Sequence, residues 1–372
     1  MKKLLFVNNS LDHGGAERVL VNLINMLPHD NYQVDLFTLY SSGIYDDEIN
    51  KKIKYRYVFK KRGALFNKIM LKGLCKILPR RWLRKRVIKQ TYDCEVAFLQ
   101  GFPTEFVRCC KNPNTQKIAF VHSDFSSNYD VAGIYKTKEQ CHKTYENFDK
   151  VCFVSETAKR GFEEVIGPLS NAFVLHNVMN TERIHQQSNE KVDNIYADNV
   201  VRVISVGRLI KIKAIERIIS AVDYVCGRKV NIECCIIGDG PERESLQRLI
   251  EVKGLQNNIK ILGYCNNPYK YMKQADIYVC SSLTEGYSTT AVEALILGLP
   301  ILTTDVSGMN EIIADSNAGV IVENSEKGLK EGLYLLASNT KKIEQMKVMA
   351  QKRGLDFDSK KQLQEFMDML EA

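Results

Sequence analysis

Residues 276–304 read DIYVCSSLTEGYSTTAVEALILGLPILTT, and they predict a strand, a polar loop, a helix and a second strand. The apolar runs at both ends are short and rich in Ile, Val and Leu, as buried parallel strands are. Ser288 is a favourable N-cap residue, so we expect the helix to begin at Thr289. A strand, a helix and another strand in this order form the repeating unit of α/β sheets.

The same alternation continues along the whole chain of 372 residues. The predicted strands are KKLLFVNN, QVDLFTL, CEVAFLQ, QKIAFVHS, KVCFVSE and AFVLHN in the first half, and VRVISV, NIECCIIG, IKILGY, DIYVCSS, PILTT and GVIVE in the second. We therefore predict an α/β fold of two Rossmann-like domains whose parallel sheets face each other across a cleft. The expected boundaries are residues 1–180, a polar linker at 181–199, residues 200–355, and a C-terminal helix at 356–372 that packs on the first domain.

The composition is that of a globular protein, with 45% hydrophobic and 26% charged residues. No apolar run approaches the roughly 20 residues of a membrane span. The first apolar run, LLFV, is too short for a signal peptide, so we expect a cytoplasmic protein. The 11 cysteines are odd in number and scattered, which favours reduced thiols.

Two cations lie in the loop after the strand VRVISV. The guanidinium of Arg208 matches phosphate oxygens in shape, and Lys213 adds a point charge. In open parallel sheets, ligands bind outside the carboxyl ends of the strands, which is where this loop is predicted to lie. The two cations therefore suit a diphosphate, although a solvated surface pair is an equal alternative. The nearby turn at Gly238 and Gly240 is expected to be mainly structural.

The loop before the helix at Thr289 holds one of two glutamates, Glu285 and Glu293, that lie eight positions apart. The N–H groups of Thr289 and Thr290 favour an anion, whereas carboxylates accept hydrogen bonds from hydroxyls. We interpret the helix start and the two cations as a diphosphate site, and the glutamates as acceptors for sugar hydroxyls. The alternative is that Glu293 is a solvated helix residue and Glu285 a capping acid.

Two loops of the first half are further candidates. Gly14 and Gly15 open a helix after the first strand, without the Gly-x-Gly-x-x-Gly pattern of a dinucleotide site. His122 follows the strand QKIAFVHS and could bond to a substrate hydroxyl or a developing charge. Taken alone, each of these signals is weak, and an ordinary loop histidine is the simpler interpretation of His122.

Taken together, these motifs resemble the retaining glycosyltransferases of family 4, which have the GT-B fold. The resemblance covers almost the whole chain and rests on Gly14–Gly15, His122, Gly207-Arg208-Leu209 with Lys213, Gly238-Asp239-Gly240-Pro241, and Glu285-x7-Glu293. It implies catalytic roles for His122 and Glu285. It implies donor binding by a larger set, namely Gly14, Gly15, Arg208, Lys213, Ser288, Thr289, Thr290 and Glu293.

Members of this family need no divalent metal, so we expect no metal and no other cofactor. The only Asp-x-Asp, Asp356 to Asp358, lies in the C-terminal tail. The chain departs from the family pattern at two places. Tyr287-Ser288 stands where many relatives have Phe-Gly, and Ala214 stands where glycine usually follows the lysine. These changes leave the identity of the donor sugar open.

Residues 60–89 hold 12 Lys and Arg and no acid, interleaved with apolar residues. That pattern is typical of interfacial helices on an anionic membrane, more than of a solvated basic face. A nucleic-acid surface is the runner-up, but no recognised nucleic-acid motif accompanies the segment, so we expect no nucleic-acid partner. We assign membrane binding to one cluster of cations, Arg80, Arg81, Arg84, Lys85 and Arg86.

The resulting expectation is a retaining, metal-independent hexosyltransferase that uses a nucleotide-sugar, in particular a UDP-sugar. Its expected acceptor is a lipid-linked saccharide in bacterial surface polysaccharide assembly. The protein would then be peripheral on the inner face of the cell membrane. A glycosyltransferase with a soluble acceptor, or a non-catalytic protein that binds sugar-nucleotides or nucleic acid, remains an alternative.

Overall fold

The structure is a computed structural model, and it describes residues 1–12, 14–41, 43–60, 80–127 and 135–371. The chain divides into two compact units. Unit one comprises Met1–Val178 together with Lys360–Ala372, and unit two comprises Met179–Ser359.

Within the described residues, unit one contains a parallel sheet of seven strands in the order β3-β2-β1-β4-β5-β6-β7. The direction in which strands are added reverses between β1 and β4, which are neighbours. The strands are β1 Lys2–Asn8, β2 Tyr32–Ser41, β3 Lys54–Lys60, β4 Cys94–Ala97, β5 Gln116–Val121, β6 Lys150–Phe153 and β7 Ala172–Val174. The accompanying helices are α1 Gly15–Met26, α2 Arg80–Val87, α3 Phe102–Arg108, α4 Lys138–Glu146 and α5 Glu156–Val165.

Alternate residues of the central strand β1 enter the cores on opposite faces of this sheet. Leu4 and Phe6 belong to one buried cluster, and Leu5 and Val7 belong to the other. Side chains alternate between the two faces of a strand, so an unbroken apolar run is what a strand covered on both faces requires.

Unit two contains a parallel sheet of six strands in its described part, in the order β10-β9-β8-β11-β12-β13, with the reversal between β8 and β11. Its strands are β8 Val201–Val206, β9 Ile232–Ile237, β10 Ile259–Gly263, β11 Ile277–Cys280, β12 Ile301–Thr304 and β13 Gly319–Val322. Its helices are α6 Thr181–Ser188, α7 Ile215–Cys226, α8 Arg243–Val252, α9 Tyr269–Met272, α10 Thr289–Ile296, α11 Met309–Ile313, α12 Glu326–Ala337 and α13 Thr340–Gly354.

All six strands predicted for the second half are present, and so are the six predicted for the first half. The strand β3 was missed. Its charged residues Lys54, Arg56 and Lys60 interrupt the apolar pattern, and none of its side chains is fully buried. As the terminal strand it pairs only with β2, so it does not need the continuous apolar run of a central strand.

The segment that we interpreted as a linker, residues 181–199, lies within unit two and contains the helix α6. The last helix, α14 Ser359–Glu371, contributes to the core of unit one, as expected. Phe366 is fully buried there, and its ring lies 6.2 Å from that of Phe6. Lys150 also donates to the carbonyl of Met369 at 2.5 Å.

Replacing Phe366 with Ala should lower the stability of unit one by about 3–5 kcal/mol, because the aromatic side chain leaves a cavity in a closed core. Urea unfolding of the full chain, followed by fluorescence of Trp82, measures this directly, since the chain has one tryptophan and it lies in unit one. Glu365→Ala, at an exposed position of the same helix, is the matched control. Equal unfolding midpoints for the two variants would contradict the docking of α14.

Candidate functional site

The loop after β8 places Lys213 at the end of a short 3-10 helix, Lys211–Lys213. The next residue, Ala214, is fully buried and has left-handed backbone angles, φ 47° and ψ 43°. Left-handed backbone is costly for any residue other than glycine. This conformation explains physically why glycine is usual at this position in the family that the sequence resembles.

Glu285 follows β11, the strand next to β8 at the point where the strand order reverses. The Nζ atom of Lys213 lies 2.5 Å from Oε1 of Glu285. The sequence predicts separate roles, with the lysine on the diphosphate and the glutamate on the sugar, and these roles stay a prediction. The structure joins the two side chains in one ion pair at the topological switch point of the sheet, where α/β proteins bind ligands.

Backbone and side-chain hydrogen bonds hold the two loops of this ion pair together. The hydroxyl of Ser281 donates to the carbonyl of Lys213 at 2.8 Å. The N–H of Leu283 donates to the carbonyl of Ile212 at 2.8 Å. The position of Lys213 is therefore fixed by the loop that carries Glu285.

Lys213 is a partly buried cation, with 25% of its side chain exposed, and its partner maintains its charge. Burial by itself would lower its pKa, but the carboxylate of Glu285 outweighs that effect and raises the pKa above the ordinary lysine value. The ammonium group therefore remains charged at neutral pH. Arg208 is exposed to solvent in the same loop, and no described residue forms an ion pair with it.

The helix α10 begins at Thr289, as predicted, and the hydroxyl of Ser288 accepts from the N–H of Ala291 at 3.4 Å. First-turn N–H groups have no partner inside a helix, and the helix dipole places partial positive charge there. The N–H groups of Thr289 and Thr290 thus make the start of α10 suitable for an anion.

Glu293 lies one turn into α10 and is only 6% exposed. Its Oε1 accepts a hydrogen bond from the hydroxyl of Tyr269 at 2.8 Å. The alternative in which Glu293 is a solvated helix residue is therefore wrong. Tyr269 was missed by the sequence analysis, because nothing in the sequence pairs the start of α9 with α10.

The turn at Gly238 is structural, as expected. Gly238 has φ +150°, and a Cβ there would collide with the carbonyl of Gly207. The N–H of Leu209 donates to the carbonyl of Asp239 at 3.0 Å, which joins this turn to the loop of Arg208. Close packing of the two loops thus requires a residue without a side chain at position 238.

In unit one, His122 follows β5 and packs against the ring of Phe98 at 4.9 Å. The side-chain amide of Gln100 can be oriented so that its oxygen faces the backbone of this loop. In that orientation it accepts hydrogen bonds from the N–H groups of His122 and Ser123, both at 3.2 Å. Burial lowers the pKa of His122 from 6.5 to about 4, against a smaller opposing effect from the backbone of Phe98. The imidazole is therefore neutral at physiological pH, and its Nε2 has no hydrogen-bond partner among the described residues.

Gly14 is the N-cap of α1 and has extended backbone, with φ −169°. Gly15 is the first residue of that helix. A Cβ at Gly14 would meet only the flexible end of the Glu17 side chain, so neither space nor backbone angles require glycine there. The sheet order places the loops after β1, β4 and β5 side by side, so Gly14 and His122 lie at the same edge of the sheet of unit one.

The structure corrects the assignment of two cations to the membrane-facing cluster. Arg84 is bound to the buried carboxylate of Glu95, and Arg80 lies 3.0 Å from that of Glu105. Both arginines therefore hold α2 on unit one. The apolar residues Leu83, Val87 and Ile88 also pack inward, against the core.

What α2 exposes is a smaller basic patch, which we call the outer face of α2 and which comprises Arg81, Trp82, Lys85 and Arg86. The ring of Trp82 is 46% exposed and lies 5.3 Å from the guanidinium of Arg86. The rest of the basic segment, residues 61–79, lies outside the described residues.

In the described part of the chain, no three His, Cys, Asp or Glu side chains are grouped so as to hold a metal ion. The expectation of metal-independent chemistry stays a prediction.

Two family models match the chain. "Glycosyltransferase Family 4" matches residues 13–183, and "Glycosyl transferases group 1" matches residues 185–353. Together they cover nearly all of both units, so the chain belongs to the family-4-like glycosyltransferases. Its two parallel-sheet units have the GT-B fold.

Comparisons with individual proteins support the same family assignment. An uncharacterized glycosyltransferase of Methanocaldococcus jannaschii, MJ1059, is 32% identical over 54% of this chain and 51% of its own length. The N-acetylgalactosamine-N,N'-diacetylbacillosaminyl-diphospho-undecaprenol 4-alpha-N-acetylgalactosaminyltransferase of Campylobacter jejuni is 26% identical over 97% of both chains. The crystal structure of Anabaena Alr3699/HepE in complex with UDP-glucose has a TM-score of 0.76 at 17% identity, with all of both chains covered.

The burial of His122 has a consequence for pH. Because its pKa is lowered from 6.5 to about 4, the unfolded chain binds this proton more readily than the folded chain. The histidine should thus reduce stability progressively as the pH falls from 6.5 to 4, and no further below that. NMR of the ring signals, assigned by comparison with His122→Gln, should give a midpoint near 4. A midpoint near 6.5 would show that the ring is solvated.

Proposed function

We propose that this protein is a retaining hexosyltransferase that moves a hexose from a UDP-sugar to a lipid-linked saccharide. The observation that carries the proposal is the partly buried ion pair of Lys213 and Glu285, in the loop that leads into α10. Within one site of unit two, the arrangement provides positive groups that can bind a diphosphate. It also provides a carboxylate that can accept hydrogen bonds from hydroxyl groups.

Each group has a role in this proposal. Lys213, Arg208 and the N–H groups at the start of α10 stabilise the negative charge that develops on the leaving diphosphate. Preorganised charges of this kind are usually the largest single contribution to catalysis. Glu285 accepts from hydroxyls of the donor sugar, and Glu293 accepts from the ribose. For His122, the proposal keeps the catalytic role that the resemblance to the family implies.

The choice of donor is supported by the Anabaena structure, whose ligand is UDP-glucose. The choice of acceptor is supported by the Campylobacter relative, whose name specifies a diphospho-undecaprenol acceptor. That relative aligns along almost its whole length, so the comparison includes both units. The donor sugar of this protein can differ from both, because Tyr287 and Ser288 stand where many relatives have Phe-Gly.

A lipid-linked acceptor requires access to a membrane. None of the helices within the described ranges has the length and apolar character that spanning a bilayer requires. We propose that the outer face of α2 binds an anionic membrane surface. Cations near such a surface contribute about 1 kcal/mol each, and the ring of Trp82 suits the interface.

The proposal is tested by incubating the protein with radiolabelled UDP-hexoses and a bacterial membrane extract, followed by extraction of labelled lipid. Label in the lipid fraction supports a lipid-linked acceptor. Label only in water-soluble saccharides would favour the soluble-acceptor alternative. Failure to bind UDP or to consume any UDP-hexose would refute the proposed activity.

In this assay, Lys213→Ala should reduce kcat/KM by about a hundredfold or more, because the leaving diphosphate loses a positioned cation. Lys211→Ala is the matched control, since Lys211 is exposed on the same 3-10 helix and should be dispensable. Circular dichroism of both variants checks that the fold is kept. Near-normal kcat/KM in Lys213→Ala would remove the lysine from the mechanism.

The triple variant Arg81→Gln, Lys85→Gln, Arg86→Gln should lose flotation with anionic liposomes and slow transfer to lipid, while its UDP affinity stays unchanged. The control is a second triple variant, which removes three positive charges from exposed positions of α13 in unit two. Its substitutions are Lys341→Gln, Lys342→Gln and Lys352→Gln. Binding by the wild type should weaken as salt increases. If both triple variants float equally well, the outer face of α2 is not the membrane site.

A further inference from the structure

Ser282 is a buried serine whose hydroxyl points at the proposed donor site. It is 1% exposed, and its Oγ donates to Oε1 of Glu285 at 2.6 Å. The same carboxylate oxygen contacts Nζ of Lys213 at 2.5 Å and the thiol of Cys280 at 3.9 Å. The ammonium of Lys213 and the hydroxyl of Ser282 therefore converge on one oxygen of Glu285, while the thiol of Cys280 lies closer to the hydroxyl of Ser282, at 3.5 Å.

The other carboxylate oxygen, Oε2, receives no hydrogen bond from any described residue. Glu285 is partly accessible, with 13% of its side chain exposed, so a ligand can reach it. With Oε1 occupied, Oε2 is the position that remains for a hydroxyl group. Its direction is fixed only as long as the carboxylate cannot rotate.

We propose that Ser282 is a positioning residue that locks the carboxylate of Glu285, so that Oε1 stays on Lys213 and Oε2 faces one hydroxyl of the donor sugar. This inference rests on the proposed function. Ser282 is itself anchored, because its carbonyl accepts from the hydroxyl of Thr304 at 2.8 Å. The neighbouring N–H of Leu283 is bound to Ile212, which ties the serine to the lysine loop.

A locked acceptor gives specificity. A site that is built to bind one hydroxyl rejects sugars in which that hydroxyl is missing or inverted, because a buried acceptor is then left unpaired. If the carboxylate could rotate, either oxygen would serve, and epimeric sugars would be distinguished less well. Ser282 should therefore affect the selectivity for the hexose and the turnover rate, and it should affect the affinity for UDP much less.

The test compares Ser282→Ala and Ser282→Cys with the wild type. Cysteine has the same shape as serine with a larger sulfur atom, and it is only a weak donor. We measure kcat and KM for the preferred UDP-hexose and for its epimers, and the Kd of UDP by calorimetry. Ser188→Ala is the control, since Ser188 is a buried serine of α6 that loses a single hydrogen bond to the carbonyl of His185.

For Ser282→Ala we expect kcat to fall about 10- to 100-fold, the usual effect of losing one hydrogen bond to a charged group. The ratio of kcat/KM between the preferred UDP-hexose and its epimers should decrease. The Kd of UDP should stay within about twofold of the wild-type value. Ser282→Cys should remain impaired. Full activity of the cysteine variant, or unchanged kcat and epimer preference in Ser282→Ala, would overturn the proposal, because packing alone would then explain the serine.

A crystal structure of Ser282→Ala gives a readout that does not depend on activity. The carboxylate of Glu285 should adopt more than one orientation, whereas Ser188→Ala should show a single one. A single orientation with Oε1 still on Lys213 would refute the lock. If the wild type neither binds UDP nor consumes UDP-hexoses, the proposed function fails, and this crystal structure still decides whether Ser282 positions Glu285.

Discussion

The contact between Lys213 and Glu285 joins two charged groups that lie 72 positions apart in the sequence. Either charge alone would be costly in a partly buried site, and each charge offsets the cost of the other. The contact forms only because β8 and β11 are neighbours where the strand order reverses. The strand order of unit two is therefore a precondition of the site, and the rest of the donor loop is built around this pair.

The central strands and the start of α10 were predictable because their causes are local. Continuous runs of Val, Ile and Leu are what strands covered on both faces require. A serine that caps a helix acts within three residues, so Ser288 identified the helix start without any tertiary information. The strand β3 was missed for the complementary reason, since a terminal strand with half-exposed side chains does not need that pattern.

The features that the sequence concealed depend on distant partners. In the sequence, Arg84 and Lys85 are equivalent members of one basic segment. In the structure, Arg84 turns inward because it forms an ion pair with Glu95 on β4, which only the folded chain brings close. Likewise, the charge of the segment said nothing about which cations face solvent. The hydrogen bond of Tyr269 to Glu293 belongs to the same class, because its two residues lie 24 positions apart. The bond of Ser282 to Glu285 spans only three positions, and it was missed because neither residue belongs to a regular helix or strand whose pattern would pair them.

The ion pair also constrains how the proposed donor site can work. Before a diphosphate binds, the charge of Lys213 is already balanced by Glu285, so the pair attracts an anion less than a free lysine would. The exposed guanidinium of Arg208 and the start of α10 must then supply much of the initial attraction. A diphosphate that draws on Lys213 also reduces the neutralisation of Glu285 and makes it a better acceptor for a sugar hydroxyl. In the proposed donor site, this shared lysine would couple binding of the diphosphate to recognition of the sugar.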